Sequence, residues 1–347
     1  MLKSHAGSTR RAAFFWGYRY MRKYIIINKE EEMSKYCFGV DLGGTTVKIG
    51  LFDAEGTVLE KWEIPTRKEE NGSKILPDIA EAILDKTAQK HIAKEDVAGV
   101  GIGVPGPVDD GGIVHKAVNL GWGVFNINET LGGLLQMPVK AGNDANVAAL
   151  GEMWCGGGKG CTNMVLATLG TGVGGGIIVN GKMVTGATGA GGEIGHIHIE
   201  DDEPDACGCG NHGCLEQYAS ATGVVRLAER KLASSSQESV LRAAKADGNL
   251  SAKTVFDAVK EGDALACEIA EQFGDYLGKG FAAIAGVVNP EVFVLGGGVS
   301  KAGEILCEYV SKYYTKYVFH GCRDAQFKLA TLGNDAGIYG AAKLVLE

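Results

Sequence analysis

Asp41-Leu42-Gly43-Gly44-Thr45-Thr46 joins an apolar run at 36–41 to a second at 47–52, the pattern of two strands around a glycine turn. A polar, glycine-ended stretch at 53–56 leads into a third β-branched run at 58–64, so the chain opens as three antiparallel strands. Far downstream, Leu169-Gly170-Thr171-Gly172-Val173-Gly174-Gly175-Gly176 lies between runs at 165–169 and 177–179 and repeats the strand, turn, strand plan. Two halves that each begin with such a hairpin and continue in alternating helix and strand predict an α/β protein of two similar lobes. Each lobe then contributes one glycine turn to a central cleft.

The intervening sequence supports this plan. Ile75, Ile79, Ala82, Ile83 and Leu84 recur at helical spacing, and 97–104 reads as a buried strand stopped by Pro105-Gly106-Pro107. A brief strand at 138–141 precedes a helix over 143–154, capped by Asn143 or Asp144. Helical periodicity returns at 216–232 and at 264–288, the latter closed by Asn289-Pro290. A strand at 292–295 ends in Gly296-Gly297-Gly298, followed by a helix over 302–314, a strand at 327–330 and a last helix from Ala336. The repeat, not composition, places the lobe boundary near residue 145.

A chain of 347 residues can bury two cores without disulfides or metals. Apolar residues make up 45% and charged residues 22%, which excludes a disordered chain. No run reaches the ~18 apolar residues of a membrane span, so no membrane partner is expected. The formal charge of −8 argues against broad attachment to nucleic acid. Nine cysteines, with Cys37, Cys267, Cys307 and Cys322 scattered, read as thiols of a reducing compartment, and the expected location is cytoplasmic. Residues 1–33 mix basic and aromatic groups without a signal-peptide pattern and read as an extension, with Met33 an alternative start. The 53 glycines are about twice the usual ~7% share and suggest backbone lying close to a ligand.

Three motifs carry chemistry. Glycine in the two turns lets backbone N–H groups approach phosphate oxygens, and Asp41 can hold Mg²⁺ directly or through water; a plain hairpin is the alternative for either turn alone. Neither turn has Walker-A spacing or opens a Rossmann unit, because each joins two strands directly. His196, Cys207, Cys209 and Cys214 offer an imidazole and three thiolates, a closed tetrahedral set for structural Zn²⁺, with His198 and His212 competing for the imidazole position. Asn143-Asp144-Ala145-Asn146 puts a carboxylate at a helix start, where it serves either as a cap or as a base accepting a hydroxyl proton during attack on a γ-phosphate.

These residues, with Glu193-Ile194-Gly195-His196 and the run Cys207-Gly208-Cys209-Gly210-Asn211-His212-Gly213-Cys214-Leu215-Glu216, resemble the ROK family of bacterial sugar kinases and repressors, and within it the glucokinases. The resemblance extends from about Tyr36 to the C-terminus. It implies a two-lobed, actin-like (ribonuclease-H-like) sugar kinase fold, with residues 34–145 plus 335–347 as the small lobe and 146–334 as the large lobe carrying the zinc site. It makes Asp144 the catalytic base, and Asn143, Asp144, Glu193, His196 and Glu216 the sugar ligands, with Gly106 at the sugar's edge. Asp41, Gly43, Gly44 and Thr45 would form one phosphate and Mg²⁺ turn, Gly170, Thr171 and Gly172 the other. Gly296 and Gly297 would lie toward adenosine.

The expected reaction is ATP-dependent phosphorylation of a hexose, glucose to glucose 6-phosphate, with ATP, Mg²⁺ and a structural Zn²⁺. Fructose, mannose or N-acetylmannosamine as substrate and polyphosphate as donor stay open at this point. So does a sugar-sensing regulator, although the roughly forty residues before Asp41 are too few for the family's winged helix. The resemblance also suggests a homodimer or homotetramer.

Overall fold

The computed structural model describes residues 35–115 and 117–347; the expected extension over 1–33 lies outside the described residues. Strands β1 (Tyr36–Leu42), β2 (Thr46–Asp53), β3 (Val58–Pro65) and β4 (Val97–Val104) are followed by a two-residue ribbon, β5 (Ile113–Val114) with β6 (Phe125–Asn126), and by β7 (Val139–Asn143). The first sheet has the order β3-β2-β1-β4-β7, with β1, β2 and β3 antiparallel and β4 and β7 parallel to β1.

The second half repeats it. Strands β8 (Met164–Leu169), β9 (Val173–Val179), β10 (Lys182–Met183), β11 (Val292–Gly296) and β12 (Gln326–Leu329) form a sheet of order β10-β9-β8-β11-β12, again with an antiparallel hairpin followed by two parallel strands. This matched pair of sheets, connected by helices, is the plan of two similar lobes expected from the two glycine turns and the actin-like architecture that the resemblance implies.

Each sheet is covered by its own helices. Helices α1 (Ile75–Gln89) and α2 (Ile127–Leu135) bury Ile79, Ile83 and Leu131 against Phe38, Val40 and Ile102 of the first sheet. Strand β3 alternates half-buried and exposed positions, and its outward Leu59, Lys61 and Glu63 leave a largely charged edge that resists pairing with another chain. Helices α4 (Ala221–Ser234), α5 (Ala252–Lys260), α6 (Ala264–Val288) and α7 (Glu304–Tyr317) build the larger core, where Phe273, Phe281 and Phe293 are fully buried.

Helices α3 (Asp144–Cys155) and α8 (Ala336–Leu346) join the two sheets. Val147 and Leu150 of α3 pack with Leu166 and Val294 of the second sheet, and with Ala341 of α8. Ile338 and Ala342 of α8 meet Cys37 and Phe52 of the first. The backbones here nearly touch. A Cβ on Gly340 would lie 1.6 Å from the carbonyl oxygen of Val147, and one on Gly101 would lie 1.7 Å from that of Ala341. Part of the glycine excess therefore serves the close packing of α3 and of strand β4 against α8, and not a ligand.

Two element boundaries differ from the sequence reading. The helix expected over 216–232 is broken at Ser220, whose backbone is extended and whose Oγ accepts the Gly223 N–H at 2.9 Å, so that serine caps a new helix. The helix expected from residue 302 starts at Glu304, after Gly303 turns the chain with φ +88°.

Candidate active site

Strand β1 delivers Asp41 to the edge of the cleft, and the β1–β2 register sets it directly opposite Lys48. Between them the turn closes with the Gly43 N–H donating to Thr46 O at 3.1 Å, and Thr66 Oγ1 donates to Gly43 O at 2.7 Å. Gly44 and Thr45 are exposed at its tip. In the second turn the Gly170 N–H donates to Gly172 O at 3.0 Å. The start of α4 fastens that turn, since the Ala221 N–H reaches Gly170 O at 2.7 Å and the Thr222 hydroxyl reaches Thr171 O at 2.8 Å.

A cleft of about 690 Å³ opens between the sheets, lined among others by Asp41, Lys48, Asp144, Thr168, Gly296-Gly297-Gly298, Lys301, Asn334 and Gly337. A smaller hollow of about 320 Å³ is lined by Gly170, Gly172, Val173 and Glu216, and Thr168 and Gly297 line both. Gly297 has φ +81°, and a Cβ there would meet Leu169 N at 2.6 Å. The third glycine turn thus packs directly on the second.

Asn143, not Asp144, caps α3: its Oδ1 accepts from the N–H groups of Ala145 and Asn146 at 3.0 and 3.2 Å. Its Nδ2 donates to Gly106 O at 3.1 Å, which ties the helix start to the turn after β4. Asp144 keeps one local contact, Oδ1 accepting the Ala145 N–H at 2.8 Å. Withdrawal from water pushes its pKa up to about 6, the nearby charges of Asp41 and Glu193 add to the rise, and the Ala145 N–H opposes it. Burial likewise raises the pKa of Asp41, against the pull of Lys48.

Glu193 and His196 stand on a glycine-rich strap that follows β10. The strap is fastened to the first half of the chain by the Thr185 hydroxyl, which donates to Asp110 Oδ1 at 2.6 Å, and by Asn146 Nδ2, which donates to Gly191 O at 3.0 Å. Glu216 contacts the same cysteine that faces His196. Its Oε2 accepts the Val173 N–H at 3.3 Å and its Oε1 accepts from Cys207 Sγ at 3.0 Å, so it bridges the second glycine turn and the cysteine cluster.

His196, Cys207, Cys209 and Cys214 place their ligand atoms within 4.8 Å of one another. Cys209 Sγ and Cys214 Sγ are 3.7 Å apart, as are Cys207 Sγ and His196 Nδ1; tetrahedral zinc with ordinary bond lengths needs edges of about 3.8 and 3.6 Å. The donor set and its spacing therefore fit Zn²⁺. Both competitors are engaged elsewhere: His198 contacts His212 O and Asp201 Oδ1 at 3.0 and 2.8 Å, and His212 Nδ1 contacts Glu203 O at 3.0 Å. The other ring nitrogen of His196, Nε2, faces Glu193 Oε2 at 4.0 Å.

Sequence reading passed over Lys48, Thr168, Lys301, Glu152 and the 333–337 turn. Lys48 had a signal, since a hairpin places a residue seven positions past Asp41 on the facing strand. Thr168, next to the second glycine turn, had the same kind of signal, whereas Lys301, Glu152 and the 333–337 turn reach the cleft from separate segments and had none.

Paired sheets of one topology, with a carboxylate at the start of the helix between them and glycine turns on the cleft, define the class as the actin-like sugar-kinase fold. The chain belongs to the ROK family, whose model matches residues 37–347. A glucokinase of Halalkalibacterium halodurans is 43% identical over 315 residues, 90% of this chain and 96% of that protein. The ROK glucokinase of Streptomyces griseus, solved in complex with glucose and AMPPNP, is 34% identical with a TM-score of 0.68, covering 89% of this chain and 98% of that one. The ROK hexokinase of Thermus thermophilus is 32% identical with a TM-score of 0.72, covering 89% and 97%. Among the described residues no helix is long and apolar enough to cross a membrane.

Proposed function

We propose that this protein is a hexokinase-type phosphotransferase that moves the γ-phosphoryl group of ATP to glucose, with Asp144 as general base. The observation that carries the reading is a carboxylate with its pKa raised to about 6, lining a cleft together with Asp41 and Lys48, which flank the first glycine turn, and sharing Thr168 and Gly297 with the hollow beside the second. Such a group is ionised at neutral pH yet basic enough to take a hydroxyl proton.

In this mechanism the sugar hydroxyl gives its proton to Asp144 as its oxygen attacks the γ-phosphorus. The bond from phosphorus to the β-phosphate oxygen breaks, and ADP leaves with the electron pair. The N–H groups of Gly43 and Gly170 close their own turns, so those of Gly44 and Thr45 in the first turn and of Thr171 and Gly172 in the second hold phosphate oxygens, and Lys48 and Lys301 supply positive charge. Mg²⁺, when bound near Asp41, adds charge neutralisation. Gly296-Gly297 flank the adenosine.

Asn143, Glu193 and His196 Nε2 bind sugar hydroxyls, with Gly106 at the edge. Glu216 secures the second turn and contributes to the same polar wall. His196 Nδ1, Cys207, Cys209 and Cys214 would hold a Zn²⁺ ion, and with four protein ligands the site would be structural rather than catalytic. Closure of residues 34–145 plus 335–347 onto 146–334 excludes water that would otherwise accept the phosphoryl group.

The test is ADP release with ATP, Mg²⁺ and a panel of glucose, mannose, fructose and N-acetylmannosamine. A clear preference for glucose is expected. Sugar binding without turnover would instead assign a sensing role.

A further inference from the structure

Glu152, near the C-terminal end of α3, is only 1% exposed, yet it forms no ion pair with a cation among the described residues. Its charge is met by three backbone donors. The Gly157 N–H reaches Oε2 at 2.7 Å, the Thr331 N–H reaches Oε2 at 3.1 Å, and the Leu332 N–H reaches Oε1 at 2.9 Å. A buried carboxylate is tolerated only where such donors replace water. Two of these come from a segment almost 180 residues away, so the side chain is a tether between α3 and the chain just after β12.

The tethered segment is part of the cleft. Gly333, Asn334, Ala336 and Gly337 line it together with Glu152. From the other side, Lys48 Nζ donates to Asn334 O at 2.9 Å and Lys61 Nζ donates to Asp335 Oδ2 at 2.6 Å. The turn is thus held from the α3 side by Glu152 and from the first sheet by two lysines.

We infer that Glu152 is a positioning residue for the nucleotide: it sets the 331–337 turn in its binding-ready place before the donor arrives, and so governs donor affinity without acting on the sugar. The inference rests on reading the cleft as the donor site. Nothing in phosphoryl transfer itself uses this carboxylate, because its oxygens are already occupied by backbone donors. A glutamine would keep the shape but turn an NH₂ toward at least one N–H donor.

The experiment compares wild type with Glu152→Gln and with Val255→Ala, a destabilising control in the core of α5. ADP affinity is read by calorimetry, glucose affinity by intrinsic fluorescence, and exchange of the Thr331 and Leu332 amides by hydrogen exchange without nucleotide. For Glu152→Gln, loss of a hydrogen bond to a charged group predicts ADP affinity and KM for ATP weakened about tenfold, with glucose affinity preserved and both amides exchanging faster. The control should leave ADP affinity unchanged. Unchanged ADP affinity in Glu152→Gln, or equal loss of ADP and glucose affinity, would overturn the inference. If that variant does not fold, the wild type decides: both amides should be protected before nucleotide is added, and rapid exchange there overturns the tether. Wild type that binds no ADP removes the donor-site reading itself, whereas wild type that binds it beside an unaffected variant removes only the role of Glu152.

Discussion

Asn143 Nδ2 donates to Gly106 O at 3.1 Å while Asn143 Oδ1 caps the first turn of α3. The two functions a polar residue could perform at this helix start are therefore divided between neighbours. Asn143 satisfies the backbone, and the next residue, Asp144, is released to face the cleft.

Replacing Asp144 with Asn keeps the shape and removes the base. Turnover is expected to fall by about 10²-fold or more, with sugar and nucleotide affinity retained. Steady-state kinetics with calorimetric glucose binding checks this, and near wild-type turnover would rule Asp144 out.

The pKa of about 6 at Asp144 also predicts a pH profile. Because the base must be ionised, kcat/KM should rise with pH through about 6 and flatten above it. Stability runs the opposite way. A carboxyl whose folded-state pKa is raised gives its full stabilisation below its unfolded value of about 4, and loses it as pH rises through about 6. Asp144→Asn should therefore melt at the same temperature as wild type or higher at pH 7.5, with the gap narrowing toward pH 4.

Cys209→Ser removes one of three thiolates from the cluster. Zinc content should fall from about one ion per chain, and sugar binding should weaken with it because His196 loses its anchor. Metal analysis alongside glucose affinity separates the outcomes; loss of zinc with unchanged sugar affinity would sink the scaffold role.

Gly340→Ala would place a Cβ 1.6 Å from Val147 O at the crossing of α3 and α8. Overpacking of this kind costs about 1–3 kcal/mol. Urea unfolding should show it, and wild-type stability would contradict the close approach of the two helices.

The glycine turns, the strand-turn-strand plan that repeats around them and the three cysteines of the zinc candidate were legible from the sequence. Each depends on near neighbours: glycine where a turn must approach a ligand, period-two apolar runs for strands, thiols clustered in one loop. Even there, local pattern reached its limit at Ser220, because a serine inside a helical period reads the same whether it continues a helix or caps the next one.

What local sequence could not decide was settled by which distant segments meet. Asn143 rather than Asp144 is the cap because Gly106 O lies within reach of its amide. His196 joins the cysteines because Glu203 O and Asp201 take up the other imidazoles. The cleft walls at Lys301 and Asn334, the tether at Glu152 and the glycines between α3 and α8 likewise arise from segments far apart in the chain. The sequence by itself determined the repeated scaffold and its chemical inventory, since those follow from backbone preference over a few residues. Tertiary structure alone decided which of those groups share a site, since that depends on the packing of two sheets around two shared helices.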